Sequence, residues 1–187
     1  KAPKTVANFL QYVKDGAYEG TIFHRVIKGF MNQGGGFTAD FTKVETRDPI
    51  QNEADNGLKN LKYTVAMART SKPHSATNQF FINTADNDFL DHSSKSMRGW
   101  GYTVFGKVVE GQNVADIISR AATGPGGPFM KDVPRTTITI DKASIVKELS
   151  DEMDAIDKDM GQLRAVYELF FMGVEKSEPV HQRDALR

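Results

Sequence analysis

The chain has 187 residues, 39% hydrophobic and 26% charged, a mix that suits a folded domain with or without an appendage and argues against general disorder. Lys plus Arg and Asp plus Glu both number 24, so no net charge draws the chain to nucleic acid or to an anionic membrane surface. The absence of cysteine excludes disulfide scaffolds, zinc ribbons and thiol nucleophiles, and no apolar run has the length of a membrane span.

The opening segment, KAPKTVANFL, lacks the apolar core and cleavage site of a signal peptide, and a cytoplasmic location is expected. A first helix is predicted over Thr5 to Lys14. Val6, Phe9, Leu10 and Val13 form its apolar face, Pro3 and Thr5 mark its start, and Asp15-Gly16 its stop. The period then changes. Segments 21–27, 29–33, 63–69, 79–84, 102–109 and 136–146 are rich in β-branched and aromatic residues and read as strands. A short second helix is predicted over Val114 to Ala121. Strands in this number with two short helices predict an antiparallel sheet or barrel capped at its ends. Segment 34–62 reads as a long polar loop of the functional kind, and 123–134 as a turn-rich loop.

From Val146 a heptad runs through Leu149, Met153, Ile156, Met160, Leu163, Tyr167 and Phe170. It predicts a helical extension over 147–187 that follows a domain spanning 1–146. Gly161 weakens the helix, and Gly173 and Pro179 end it. Two readings stay open: an amphipathic helix packed on its own barrel, or a docking helix over 147–172 that builds a homo- or hetero-oligomer. In a parallel homodimer Glu152 would face Asp157 and repel, whereas Asp159 would attract Arg164.

Most familiar catalytic motifs are missing. His24, His74, His92 and His181 have no metal-ligand spacing, so no metal site is expected. Gly34-Gly35-Gly36 lacks the Lys-Ser/Thr of a phosphate loop, no G-x-G-x-x-G opens a helix, and no nucleophile elbow is present. No cofactor is expected. What remains is Arg25 inside the apolar strand FHRVI. Alternation puts Phe23, Arg25 and Ile27 on one face, Met31 with Gln33, and Gln79 with Phe81. Taken singly, Arg25 reads as an exposed strand residue, Phe81 as core and Gln33 as a solvated amide. Were the faces to converge, they would set a guanidinium and amides beside an apolar pocket.

The ordered set FHRVIKGFMNQGGGF (23–37), AMAR (66–69), HSATNQFFINT (74–84) and WGYTVFGKVVEG (100–111) resembles the cyclophilin family of peptidyl-prolyl cis/trans isomerases, the bacterial single-domain members most of all. The likeness covers Lys1 to about Val146. It implies a mainly β, antiparallel barrel with two capping helices, here with an added C-terminal helix, and isomerisation of Xaa-Pro bonds in flexible or folding chains without a cofactor. It implies Arg25, Gln33 and Phe81 as catalytic residues. Phe30, Met31, Ala68, Arg69, Gln79 and Tyr102 are implied to bind substrate, although alternation would set Phe30 opposite Met31. Many relatives carry Asn where Arg69 stands. The pocket-wall leucine of the family aligns with Arg98, and the tryptophan that grips cyclosporin aligns with Met97, Trp100 being displaced along the loop. Tight cyclosporin binding is therefore not expected. The family's barrel opens with a hairpin ahead of the K-A-P segment, so its first two strands are expected to be absent here. The partners implied are proline-containing peptides and folding proteins, with no nucleic acid and no membrane. The alternative is a proline-motif binding module with incidental turnover, assembled through the C-terminal helix.

Overall fold

The computed structural model describes residues 1–146 and the backbone of 169–172. The first helix, α1 (Pro3–Lys14), has no capping side chain of its own. Glu53 supplies the cap from the long loop. Its carboxylate accepts from the Lys4 and Thr5 amides at 3.2 and 2.8 Å and from the Thr5 hydroxyl at 2.7 Å. A negative group at a helix start stabilises the unpaired amides and the dipole together. The buried stripe of α1 is Thr5, Phe9, Tyr12 and Val13, rotated slightly from the predicted face.

The strands follow as β1 (Thr21–Ile22), β2 (Arg25–Ile27), β3 (Met31–Gly34), β4 (Thr64–Met67), β5 (Phe80–Asn83) and β6 (Val104–Lys107). After helix α2 (Gln112–Ser119) come β7 (Thr123–Gly126), β8 (Phe129–Pro134), β9 (Thr139–Ile140), β10 (Lys142–Ile145) and β11 (Leu169–Met172). All the pairings are antiparallel, and the central sheet runs β2-β3-β5-β4-β6. Two-stranded pairs β1-β9, β7-β8 and β10-β11 surround it.

The central sheet is buried on both faces. On one, Val26, Val65, Met67, Phe80 and Ile82 join Phe9, Tyr12 and Val13 of α1 and Ala115 and Ile118 of α2 in the main core. Phe9 is its aromatic hub, with ring centroids 5.0 Å from Tyr18, 5.4 Å from Phe80 and 5.0 Å from Phe105. On the other face Met31, Ala66, Phe81, Leu90 and Val104 form a second, smaller apolar cluster. Period-two alternation along each strand sends neighbours to opposite clusters.

Three expectations change. The stretch 21–27 is not one strand, because it breaks at Phe23 and His24. The Phe23 amide donates to the Ile138 carbonyl and its ring joins the main core, so Phe23 and Arg25 do not share a face. The loop expected at 123–134 is a hairpin, since Gly127 and Pro128 turn the chain between β7 and β8. At the end of the heptad, Leu169–Met172 is a strand in register with β10, pairing Lys142 with Met172 and Ile145 with Leu169. The run Leu-Phe-Phe-Met has strong strand propensity, and β10 offers it a free edge. The rest of the helix proposed for 147–172 lies outside the described residues.

Candidate active site

The register of the central sheet builds a row across its outer face. Arg25 lies opposite Gln33, Gln33 opposite Phe81, Phe81 opposite Ala66, and Ala66 opposite Val104. Met31, two residues before Gln33, stands on the same face. The faces that the sequence left separate therefore converge. Phe81 is 4% exposed and Met31 2%, and they form a floor. Arg25 is exposed at the rim, and its Nη1 donates to Gln33 Oε1 at 3.4 Å. Gln33 Nε2 donates in turn to Gln79 Oε1 at 2.9 Å. The result is a chain of amides that ends on a guanidinium beside an apolar hollow.

Phe30 lies outside β3, in the turn that precedes it, so strand alternation does not govern it. It packs against the same cluster as Met31. Its carbonyl accepts from the Thr84 amide and from Asn87 Nδ2, both at 2.9 Å. Tyr102 closes the opposite side, its ring centroid 5.7 Å from that of Phe81. Arg69 lies over Tyr102, its guanidinium carbon 4.6 Å from the ring centroid. The Ala68 amide is committed to the Gln79 carbonyl at 2.9 Å. Among the described residues the Arg69 amide has no such partner.

One assignment made from the resemblance is corrected. Leu90, 8% exposed, packs in the cluster with Met31 and Phe81, whereas Arg98, aligned with the family's pocket-wall leucine, is exposed on the loop beyond. Phe89, exposed, lies beside Phe30 with ring centroids 5.5 Å apart. The loop 91–101 is drawn shut at its neck by the bond from the Tyr102 amide to the Leu90 carbonyl at 2.9 Å. Gly101 permits that neck: its φ is +72°, and a Cβ there would lie 2.6 Å from the Leu90 carbonyl oxygen. Trp100 is the loop's own core, set between His74 and His92.

The sequence reading also missed a polar network behind the pocket. Asn87 Nδ2 donates to Asn83 Oδ1 at 2.7 Å, and Asn83 Nδ2 to Asn60 Oδ1 at 3.2 Å and Thr64 Oγ1 at 2.9 Å. Asn60 gives its amide and Nδ2 to Asp91 at 2.8 and 3.1 Å. Three buried asparagines thus tie the turn holding Phe30 to the segment holding Leu90. Their signal was the polar Asn83 within an apolar strand.

On the other side of Arg25, His24 is buried between Phe37, 4.8 Å away, and Phe129, stacked at 5.4 Å. Burial lowers its pKa to about 4, and the neighbouring Arg25 charge adds to the shift, so the ring is neutral near pH 7.

The profile of the family described as cyclophilin type peptidyl-prolyl cis-trans isomerase/CLD matches residues 1–145. The chain belongs to the cyclophilin family. It is 60% identical over 146 residues to peptidyl-prolyl cis-trans isomerase cyp18 of Streptomyces antibioticus, across 78% of this chain and 87% of that protein. It is 55% identical over 145 residues to peptidyl-prolyl cis-trans isomerase B of Escherichia coli, across 78% and 88% of the two chains. The corresponding isomerase A of Dickeya dadantii is 57% identical over 148 residues, across 79% and 76%. This cyclophilin is accordingly a peptidyl-prolyl cis-trans isomerase that acts on proline-containing peptides and proteins. The reading as a binding module with incidental turnover is not favoured. Among the described residues no helix is long and apolar enough to cross a membrane.

Proposed function

We propose that Arg25 stabilises the twisted amide in the isomerisation of Xaa-Pro bonds. Phe81, Met31, Phe30 and Leu90 hold the prolyl ring, and Gln33 and Gln79 aim the guanidinium. The observation that carries this reading is the single cross-strand row holding Arg25, Gln33 and Phe81.

A peptide bond resists rotation by about 18–20 kcal/mol because the nitrogen lone pair is conjugated with the carbonyl. At the top of the barrier that conjugation is lost and the nitrogen is pyramidal and basic. A positioned N–H donor meets the nitrogen there, or holds the neighbouring carbonyl. The planar resting forms offer no such lone pair, so the interaction favours the twisted state selectively. The donor is held by the protein beside a water-poor wall, so little reorganisation is needed as the bond turns. A hundred-thousandfold acceleration requires only about 7 kcal/mol of this preference. No bond breaks, so neither a nucleophile nor a general base is needed. The apolar cradle fixes the ring while the preceding residue swings. Substrate backbone docks along Ala68 and Arg69, where the Arg69 amide faces no competing partner among the described residues.

Exchange NMR or a protease-coupled assay on a prolyl tetrapeptide tests the assignment. Arg25→Ala is expected to lose most turnover while peptide affinity falls less. Arg25→Lys keeps the charge without the planar fork of donors and recovers only a part. Unchanged turnover in Arg25→Ala would defeat the reading.

A further inference from the structure

Arg69 is a cation fixed at the pocket rim, with no counter-charge among the described residues. Its Nε donates to the Gly101 carbonyl at 2.8 Å and its Nη1 to the Thr70 carbonyl at 2.9 Å, and its plane rests on Tyr102. Tyr102 in turn meets Phe81, so the guanidinium is two ring contacts from the floor that holds proline. Among the described residues four other basic side chains are matched with carboxylates: Arg47 with Asp15, Lys59 with Asp91, Lys62 with Asp116 and Lys95 with Asp55. Among the described residues no carboxylate approaches Arg69, and its Nη2 group makes no hydrogen bond.

From this geometry we infer that Arg69 is a specificity-determining residue that selects substrates with an acidic side chain next to the proline. This rests on the reading of the pocket above. A flexible arginine loses much rotamer freedom when it grips a ligand. Here three protein contacts have already fixed the side chain, so a carboxylate meets a pre-arranged donor. A substrate strand that docks on the Arg69 backbone brings its side chains within cross-strand range of the Arg69 side chain. The chain's formal net charge is zero, so a preference for anionic peptides has no source in a global field. The partly exposed setting keeps the effect moderate, a gain of roughly two- to fivefold in kcat/KM.

The test compares peptides carrying Glu, Ala or Lys beside proline, placed on either side, by exchange NMR at low salt and at about 1 M NaCl. The expected order is Glu over Ala over Lys, compressed by salt as screening grows. In Arg69→Gln the Glu-to-Ala ratio falls to about one, and in Arg69→Lys it returns in part. A role as a loop staple alone would lower all three substrates together and leave the ratio unchanged, and that result overturns the inference. Equal rates for Glu and Ala peptides in the parent chain overturn it as well. Failure to turn over even the Ala peptide would instead strike at the reading of the pocket.

Discussion

Arg25 and Gln33 face one another across β2 and β3, with Nη1 3.4 Å from Oε1. The contact is long for a hydrogen bond, as catalytic contacts often are before substrate arrives. Gln33 is itself held by Gln79 at 2.9 Å, so the guanidinium is steered by a braced amide rather than a free one. Removing the amide in Gln33→Ala should lower kcat about tenfold, the low end for a hydrogen bond to a charged group. KM should change little, because the ring pocket is left intact. Steady-state isomerisation kinetics check the split.

Gly36 lies against the second member of that chain. A Cβ there would fall 2.5 Å from Gln79 Cδ, which must move aside. The obstacle is the end of a flexible side chain, so Gly36→Ala should fold with a melting temperature within a few degrees of the parent. Its kcat should fall several-fold, about the effect of one lost hydrogen bond of roughly 1 kcal/mol. Thermal denaturation and turnover, measured on one preparation, separate the two effects.

His24 predicts an acid-dependent loss of stability. Its pKa is about 4 in the fold against an ordinary value of 6.5, with burial the leading cause. The unfolded chain therefore binds this proton first as pH falls. Stability is full above about pH 6.5, declines between 6.5 and 4, and loses nothing more from this group below 4. The loss amounts to about 3 kcal/mol at 1.36 kcal/mol per unit. Urea denaturation at pH 7, 5.5 and 4.5 should show the decline, and His24→Leu should flatten it. An equal slope in that variant would assign the acid sensitivity to other groups.

Asn87 ties the turn that carries Phe30 to Asn83 on β5. Asn87→Ala leaves the Phe30 carbonyl and Asn83 Oδ1 short of a donor in a buried place, which costs about 1–3 kcal/mol. The same change frees the turn that holds Phe30, so KM should rise. A denaturant midpoint that shifts while KM stays constant would show that Phe30 is held by the Thr84 amide alone.

Legibility followed periodicity. The strands of the central sheet and both helices could be read because apolar alternation and helical spacing are local signals. Arg25, Met31, Gln33, Gln79 and Phe81 could be read as pairs on faces, but register alone decided that the faces meet. Where a break between strands shifts parity, as at Phe23 and His24, the alternation argument misplaced a side chain. The hairpin at 123–134 was hidden because Gly124, Pro125 and Gly126 carry turn chemistry inside a strand. Leu90 was missed because its partners in the outer cluster, Met31, Ala66 and Phe81, are distant in sequence and no local pattern marks the contact. The Asn60, Asn83 and Asn87 network joins residues up to 27 positions apart, and no short window contains it.

Because one sheet separates the main core from the reaction hollow, β5 should show a two-beat pattern of tolerance to substitution. Changes at Phe80 and Ile82 would be felt as lost folding, whereas a conservative change at Phe81 would leave a sound molecule that turns proline slowly. Evolution could therefore retune substrate choice one face at a time, without loosening the wall behind it.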